Sequence, residues 1–149
     1  MKIALGCDHG GFVLRNPVIS LLQERGIELL DLGTTNEDSV DYPDFGEQVG
    51  RAVADGRADA GIVICGTGIG ISIAANKVAG IRAALVTDPA MAKLAKEHNN
   101  ANVLALGGRL LDADKARACV VAWLDASFEG GRHQRRLDKI SGIETNGCK

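Results

Sequence analysis

Residues 63–71 read "VICGTGIGI", a thiol directly ahead of three alternating glycines. Cys65 has two readings. Cysteine in a strand is often a small buried hydrophobe. At a helix N-terminus, however, a thiol is stabilised as thiolate and becomes a usable base or nucleophile. Gly66, Gly68 and Gly70 make either a tight turn or a nest of converging backbone N–H groups that holds an anion. The spacing is neither a Walker loop, since no Lys-Ser/Thr follows, nor the dinucleotide fingerprint, since it is G-x-G-x-G after the third strand. Four further groups carry chemistry. Asp8-His9 stands at the end of the first apolar run, as an N-cap and surface histidine or as site residues. His98-Asn99-Asn100 follows a helical pattern, as a C-cap and turn or as polar site groups. "GGR" ends at Arg109. "EGGRHQRRLDKI" places Arg132 and Arg136 at i and i+4, a solvated basic face or a phosphate contact.

The elements that must position these groups follow from periodicity. Apolar runs "KIALGC", "IELLDLG" and "AGIVIC", with 81–86 and 102–106, read as five strands. Helical patterns at 11–25, about 44–55, 70–78, 88–97 and 112–127 alternate with them, and a last helix is predicted over about 131–141. Asn16-Pro17 interrupts the first pattern, which predicts a short turn and a proper helix only from Pro17. Alternation of this kind predicts one α/β domain over 1–149, a flavodoxin- or Rossmann-like three-layer sandwich on a five-stranded parallel sheet. Ligands of such sheets bind at the carboxyl ends of the strands. The groups after the first, third and fifth strands, "CDHGG", "CGTGIG" and "GGR", are accordingly expected together on that edge, with "EHNN" contributing from just before the fifth strand.

Composition sets bounds on function. The 149 residues suffice for a core without disulfides or metal, and the formal net charge of −2 gives no electrostatic case for nucleic acid or an anionic membrane. Five aromatic side chains (one Trp, one Tyr, three Phe) offer no base-stacking platform. No apolar stretch approaches the roughly 20 residues that span a bilayer. Cys7, Cys65, Cys119 and Cys148 form no C-x-x-C pair, and no His/Cys spacing suits zinc. Cys119 fits a helical core position and Cys148 a tail. The first apolar run is too short for a signal peptide, so free thiols in a reducing cytosol are expected, with no metal and no cofactor.

Taken together, "GCDHGGF", "DYPDFG", "ICGTGIGISIAANK", "GIRAAL", "HNNANVLALGGR" and "FEGGRHQRR" resemble type B ribose-5-phosphate isomerase, in a family that also holds galactose-6-phosphate isomerase subunits. The resemblance runs in order from Met1 to about Ile143. It implies a flavodoxin-like fold, an aldose–ketose isomerisation through an enediolate, and a homodimer or a tetramer built from it, with the site between subunits. It implies Cys65 as the base; Ile71 and Ser72 stand where some members carry a glutamate nearby, so this chain resembles the cysteine subtype. By the same resemblance the backbone of Gly66, Gly68, Ile69 and Gly70 holds the enediolate oxygens, with Thr67 as a hydroxyl contact. His98 resembles the ring-opening acid, Asp8 and Asn99 sugar contacts, and His9, Arg109, Arg132 and Arg136 phosphate contacts. Ribose 5-phosphate is the leading substrate and a six-carbon sugar phosphate, of the allose or galactose type, the rival. A non-catalytic sugar-phosphate sensor is disfavoured by intact Cys65, Thr67 and His98. A nucleotide module lacks its fingerprint at the first strand.

Overall fold

A computed structural model describes residues 1–147, and Cys148 lies outside them. The strands are β1 (Lys2–Cys7), β2 (Glu28–Asp31), β3 (Ala60–Cys65), β4 (Ala83–Leu85) and β5 (Val103–Gly107). The helices are α1 (Phe12–Glu24), α2 (Tyr42–Ala54), α3 (Ile69–Asn76), α4 (Pro89–Glu97), α5 (Ala113–Asp125) and α6 (Arg132–Gly147). All strand pairings are parallel, in the order β2-β1-β3-β5-β4. The sandwich is therefore as expected, but its last two strands exchange places relative to the flavodoxin order 2-1-3-4-5, which leaves β4 at an edge.

Side chains alternate across a strand, and the two faces receive different residues. Ile3, Leu5, Cys7, Ile62, Ile64, Leu104 and Leu106 face α1, α4 and α5, where Leu14, Val18, Leu22, Val120 and Trp123 complete a core of large side chains. Ala4, Val63, Cys65, Val103 and Ala105 face α2 and α3, against Val49, Ala52, Ile71 and Ala75. Burial on both faces explains the unbroken apolar runs. It also assigns the two strand-end thiols to opposite layers, Cys7 to the first and Cys65 to the second.

Four boundaries differ from expectation. Helix α1 runs unbroken from Phe12 with Pro17 inside it. An interior proline costs about 3 kcal/mol or more. A helix starting at Pro17 would nonetheless forfeit the core position of Leu14, which is 2% exposed. Helix α2 begins at Tyr42, because Pro43 sits in its first turn, where a missing N–H costs nothing. Strand β4 is three residues long, since an edge has only one neighbour to pair with. Helix α6 continues to Gly147, held by the Glu144 carboxylate, which accepts the Gly80 N–H at 3.0 Å.

Candidate active site

Three loops meet above the carboxyl ends of β1, β3 and β5. The Asp8 N–H donates to the Ile64 carbonyl at 3.2 Å, the Gly108 N–H to Cys65 at 2.8 Å, and the Arg109 N–H to Gly66 at 2.9 Å. A Cβ at Gly108 would strike the Gly10 carbonyl oxygen, so this close approach requires glycine.

Cys65 ends β3 with 4% of its surface exposed. The chain then turns through Gly68, whose φ of +77° places it in the left-handed region as the N-cap of α3. A side chain there is strained, and its Cβ would lie 2.5 Å from Leu85 Cδ1 and 2.9 Å from the Leu106 carbonyl carbon. The turn brings the Gly68 N–H to the Cys65 sulfur at 3.2 Å. Thr67 Oγ1 accepts the Ile69 N–H at 3.2 Å and keeps its own proton to donate. The Gly70 and Ile71 amides lie in the first turn of α3, beyond the reach of any intrahelical carbonyl. A buried thiol thus accepts a backbone hydrogen bond at the start of a helix, the setting in which thiols serve as bases or nucleophiles.

Around this loop stand the expected polar groups of the carboxyl edge. Asp8, 5% exposed, accepts the Gly11 N–H on Oδ1 at 2.9 Å. His9 Nδ1 accepts the Val40 N–H at 3.2 Å, which ties it to the loop after β2. The Arg109 guanidinium lies over Gly66, with Nη1 2.9 Å from where a Cβ would stand. Tyr42 belongs here too, its ring occupying the space a Gly70 side chain would need. Nothing local to a lone tyrosine in a polar segment signals that contact. Cys7 has no such setting: burial above all pushes its thiol up to about 11. Cys119 is likewise raised by burial.

His98 and Asn99 are not on this edge, which corrects the expectation that "EHNN" contributes to it. Helix α4 runs back antiparallel to the strands, so the residues after it arrive at the amino end of β5. The register pairs Gly61 with Val103 and Cys65 with Gly107. Four residues at about 3.3 Å each separate the two ends by about 13 Å, and His98 precedes Val103 by five further residues. Arg82 holds this turn, with Nε donating to Asn99 O at 3.0 Å and Nη2 to Asn100 O at 3.0 Å. Asn100 itself has φ +44°. The His98 ring stacks on that of His133, centroids 4.2 Å apart and planes 14° from parallel. Since His133 lies in α6, Arg132 and Arg136 belong to the same side. Glu129 completes the group, and the ligating atoms of His98, Glu129 and His133 lie within 4.8 Å of one another. Their distance in sequence hid this cluster from spacing arguments. Among the described residues no helix is long and apolar enough to cross a membrane.

Residues 3–140 match the family described as Ribose/Galactose Isomerase. The chain is 52% identical to ribose-5-phosphate isomerase B of Escherichia coli (strain K12), over 96% of each chain. It is 41% identical to D-erythrulose-4-phosphate isomerase of Pectobacterium atrosepticum, over 97% of this chain and 95% of that one. Its structure superposes on that of Clostridium thermocellum ribose-5-phosphate isomerase B with a TM-score of 0.97, at 54% identity and 99% coverage of both.

Proposed function

This chain belongs to the ribose/galactose isomerase family, and from that premise we propose that it interconverts ribose 5-phosphate and ribulose 5-phosphate through an enediolate. The observation that carries the chemistry is the Cys65 sulfur at 3.2 Å from the Gly68 N–H, at the mouth of the glycine loop beside Asp8 and Arg109. In the open-chain aldose the Cys65 thiolate removes the C2 proton. The C2–H electron pair becomes the C1=C2 double bond, and the carbonyl pair moves onto O1. O1 gains a proton, O2 loses one, the thiol returns its proton to C1, and C2 becomes the carbonyl carbon. No oxidant, metal or cofactor enters the balance. Loop amides over Gly66, Gly68, Ile69 and Gly70, with the Thr67 hydroxyl, face the oxygens where charge develops. Removing one such donor costs about 2.7–4 kcal/mol of barrier.

His98 opens the furanose by protonating its ring oxygen, Asp8 and Asn99 hold sugar hydroxyls, and His9, Arg109, Arg132 and Arg136 hold the phosphate. These groups occupy two edges of one chain, which supports a homodimer with a composite site. A twofold axis across the strands sets the two copies antiparallel, so each carboxyl edge meets its partner's amino edge. Exposed Ile73, Met91, Leu94, Ile140 and Ile143 on the helices near β4 support an apolar contact there. Among the described residues Cys7, Cys65 and Cys119 are free thiols, consistent with a reducing cytosol.

Turnover of ribose 5-phosphate and allose 6-phosphate by the purified protein, with Cys65→Ala as control, tests the reading. Cys65-dependent activity on the pentose upholds it. Activity on the hexose alone keeps the mechanism and moves the substrate. Sugar-phosphate binding without turnover of either would instead indicate a sensor.

A further inference from the structure

We propose that Glu129 and His133 are positioning residues that fix the plane of the His98 imidazole, an inference that rests on His98 being the ring-opening acid. His133 is 6% exposed, and its Nε2 is buried with no hydrogen-bond partner among the described residues. The polar group facing it is the Glu129 carboxylate, with Oε2 at 3.5 Å. A buried polar atom without a full hydrogen bond lowers stability. An apolar side chain would fill the same space without that cost, so filling space does not account for a histidine here.

The backbone is built to bring these groups together. The Glu129 N–H donates to the Glu97 carbonyl at 3.0 Å, one residue before His98. Gly130 and Gly131 then turn with φ of +66° and +55°, a pair of left-handed residues that only glycine takes readily. The His133 N–H closes the turn on the Gly130 carbonyl at 3.0 Å. The "EGG" that opens the basic segment is thereby explained: it folds α6 back so that Glu129 and His133 both reach His98.

The three side chains also have the composition of a zinc site, but their geometry points elsewhere. An imidazole lone pair lies in the ring plane. With planes 14° from parallel and centroids 4.2 Å apart, no single ion lies in both planes unless one ring turns. Stacking of this kind makes His133 a platform instead. A general acid must sit within about 2.6–3.2 Å of the atom it protonates, and a ring held flat against a buried neighbour spends its time in one orientation. Glu129 in turn sets its carboxylate beside Nε2 of the platform, at 3.5 Å.

The test measures kcat and KM on ribose 5-phosphate for the wild type, His98→Asn, His133→Ala, His133→Phe and Glu129→Ala. Since a misplacement of about 1 Å can cost on the order of 100-fold, His133→Ala should lower kcat by roughly tenfold or more. KM should stay within about twofold, because no substrate contact is removed. His133→Phe keeps a flat ring and should recover most of the loss. In NMR spectra the His98 ring protons should lose their upfield ring-current shift in His133→Ala and keep it in His133→Phe. Glu129 is exposed, so Glu129→Ala leaves the core intact, and its kcat should fall about threefold at unchanged KM. Should His133→Ala fail to fold, Glu129→Ala decides alone. Wild-type kcat in His133→Ala or Glu129→Ala, with His98→Asn impaired, overturns this inference and spares the catalytic one. Turnover indifferent to His98→Asn overturns both.

Discussion

Mixed dimers test the split site directly. Cys65 ends β3 at the level of Gly107, whereas His98 precedes Val103 at the other end of β5. The two ends of that ladder are about 13 Å apart by strand rise alone, several times hydrogen-bond reach. On the proposed reading each composite site draws Cys65 from one chain and His98 from its partner. Cys65→Ala and His98→Asn homodimers should each be nearly inactive. In a heterodimer of the two, one site collects both lesions and the other collects none. Equal amounts that re-associate at random form heterodimers in about half of the dimers, each with one intact site of two, so the mixture should regain about one quarter of wild-type activity. The assay is ribose 5-phosphate turnover after co-denaturation and refolding, with differently tagged chains to count heterodimers. If Cys65 and His98 served one site from one chain, every site in the mixture would lack one of them. No recovery, with heterodimers present, would refute the reasoning.

Other perturbations probe single links. Cys65→Ala should abolish turnover while sugar-phosphate binding, followed by calorimetry, stays near wild type; loss of both would make the thiol a binding group. Gly68→Ala must accept a Cβ at φ +77°, 2.9 Å from the Leu106 backbone, and should lose about 1–3 kcal/mol in thermal unfolding along with activity; a neutral change would mean that the loop relaxes. The Cys7 thiol is raised by burial from 9.0 to about 11. The unfolded chain therefore releases that proton first as pH rises, and stability present below pH 9 should decline toward pH 11. Denaturation midpoints of Cys7→Ala should decline less steeply over that window, and equal slopes would exclude Cys7 as the cause. Arg82→Ala removes the donors to the Asn99 and Asn100 carbonyls, so it should cost about 1–3 kcal/mol and lower kcat/KM; full activity in a less stable variant would confine Arg82 to the fold.

Much of this was legible because the local rules agreed with one another. Unbroken apolar runs and a glycine nest after β3 both follow from backbone and burial. What escaped depended on contacts between distant residues. Pro17 reads as a helix start, yet the burial of Leu14 and Val18 carries α1 through it. The exchange of β4 and β5 leaves no mark in either strand. Tyr42 meets Gly70, and His133 meets His98, only once α2 and α6 are docked. The placement of His98 is a different case, since the information was present. A helix between parallel strands returns against them, so residues that follow a helix land on the amino edge. The carboxyl-edge rule therefore does not extend to "EHNN", which ends α4 and follows it.

The same geometry ties the edge strand to the split site. Three-residue β4 ends the sheet with one side unpaired, and exposed Ile73, Met91, Leu94, Ile140 and Ile143 lie on neighbouring helices. In a monomer such an edge is an aggregation liability. Near it runs a cavity of about 730 Å³ whose lining includes Arg82, Asn99, Ile140 and Ile143. The apolar margin thus adjoins the turn of Asn99, which follows His98, the proposed acid. A partner packed on this margin would cover the edge and present its own Cys65 loop to that turn. One antiparallel contact answers both needs, which is why the swapped strand order and the separation of Cys65 from His98 are best understood as one feature.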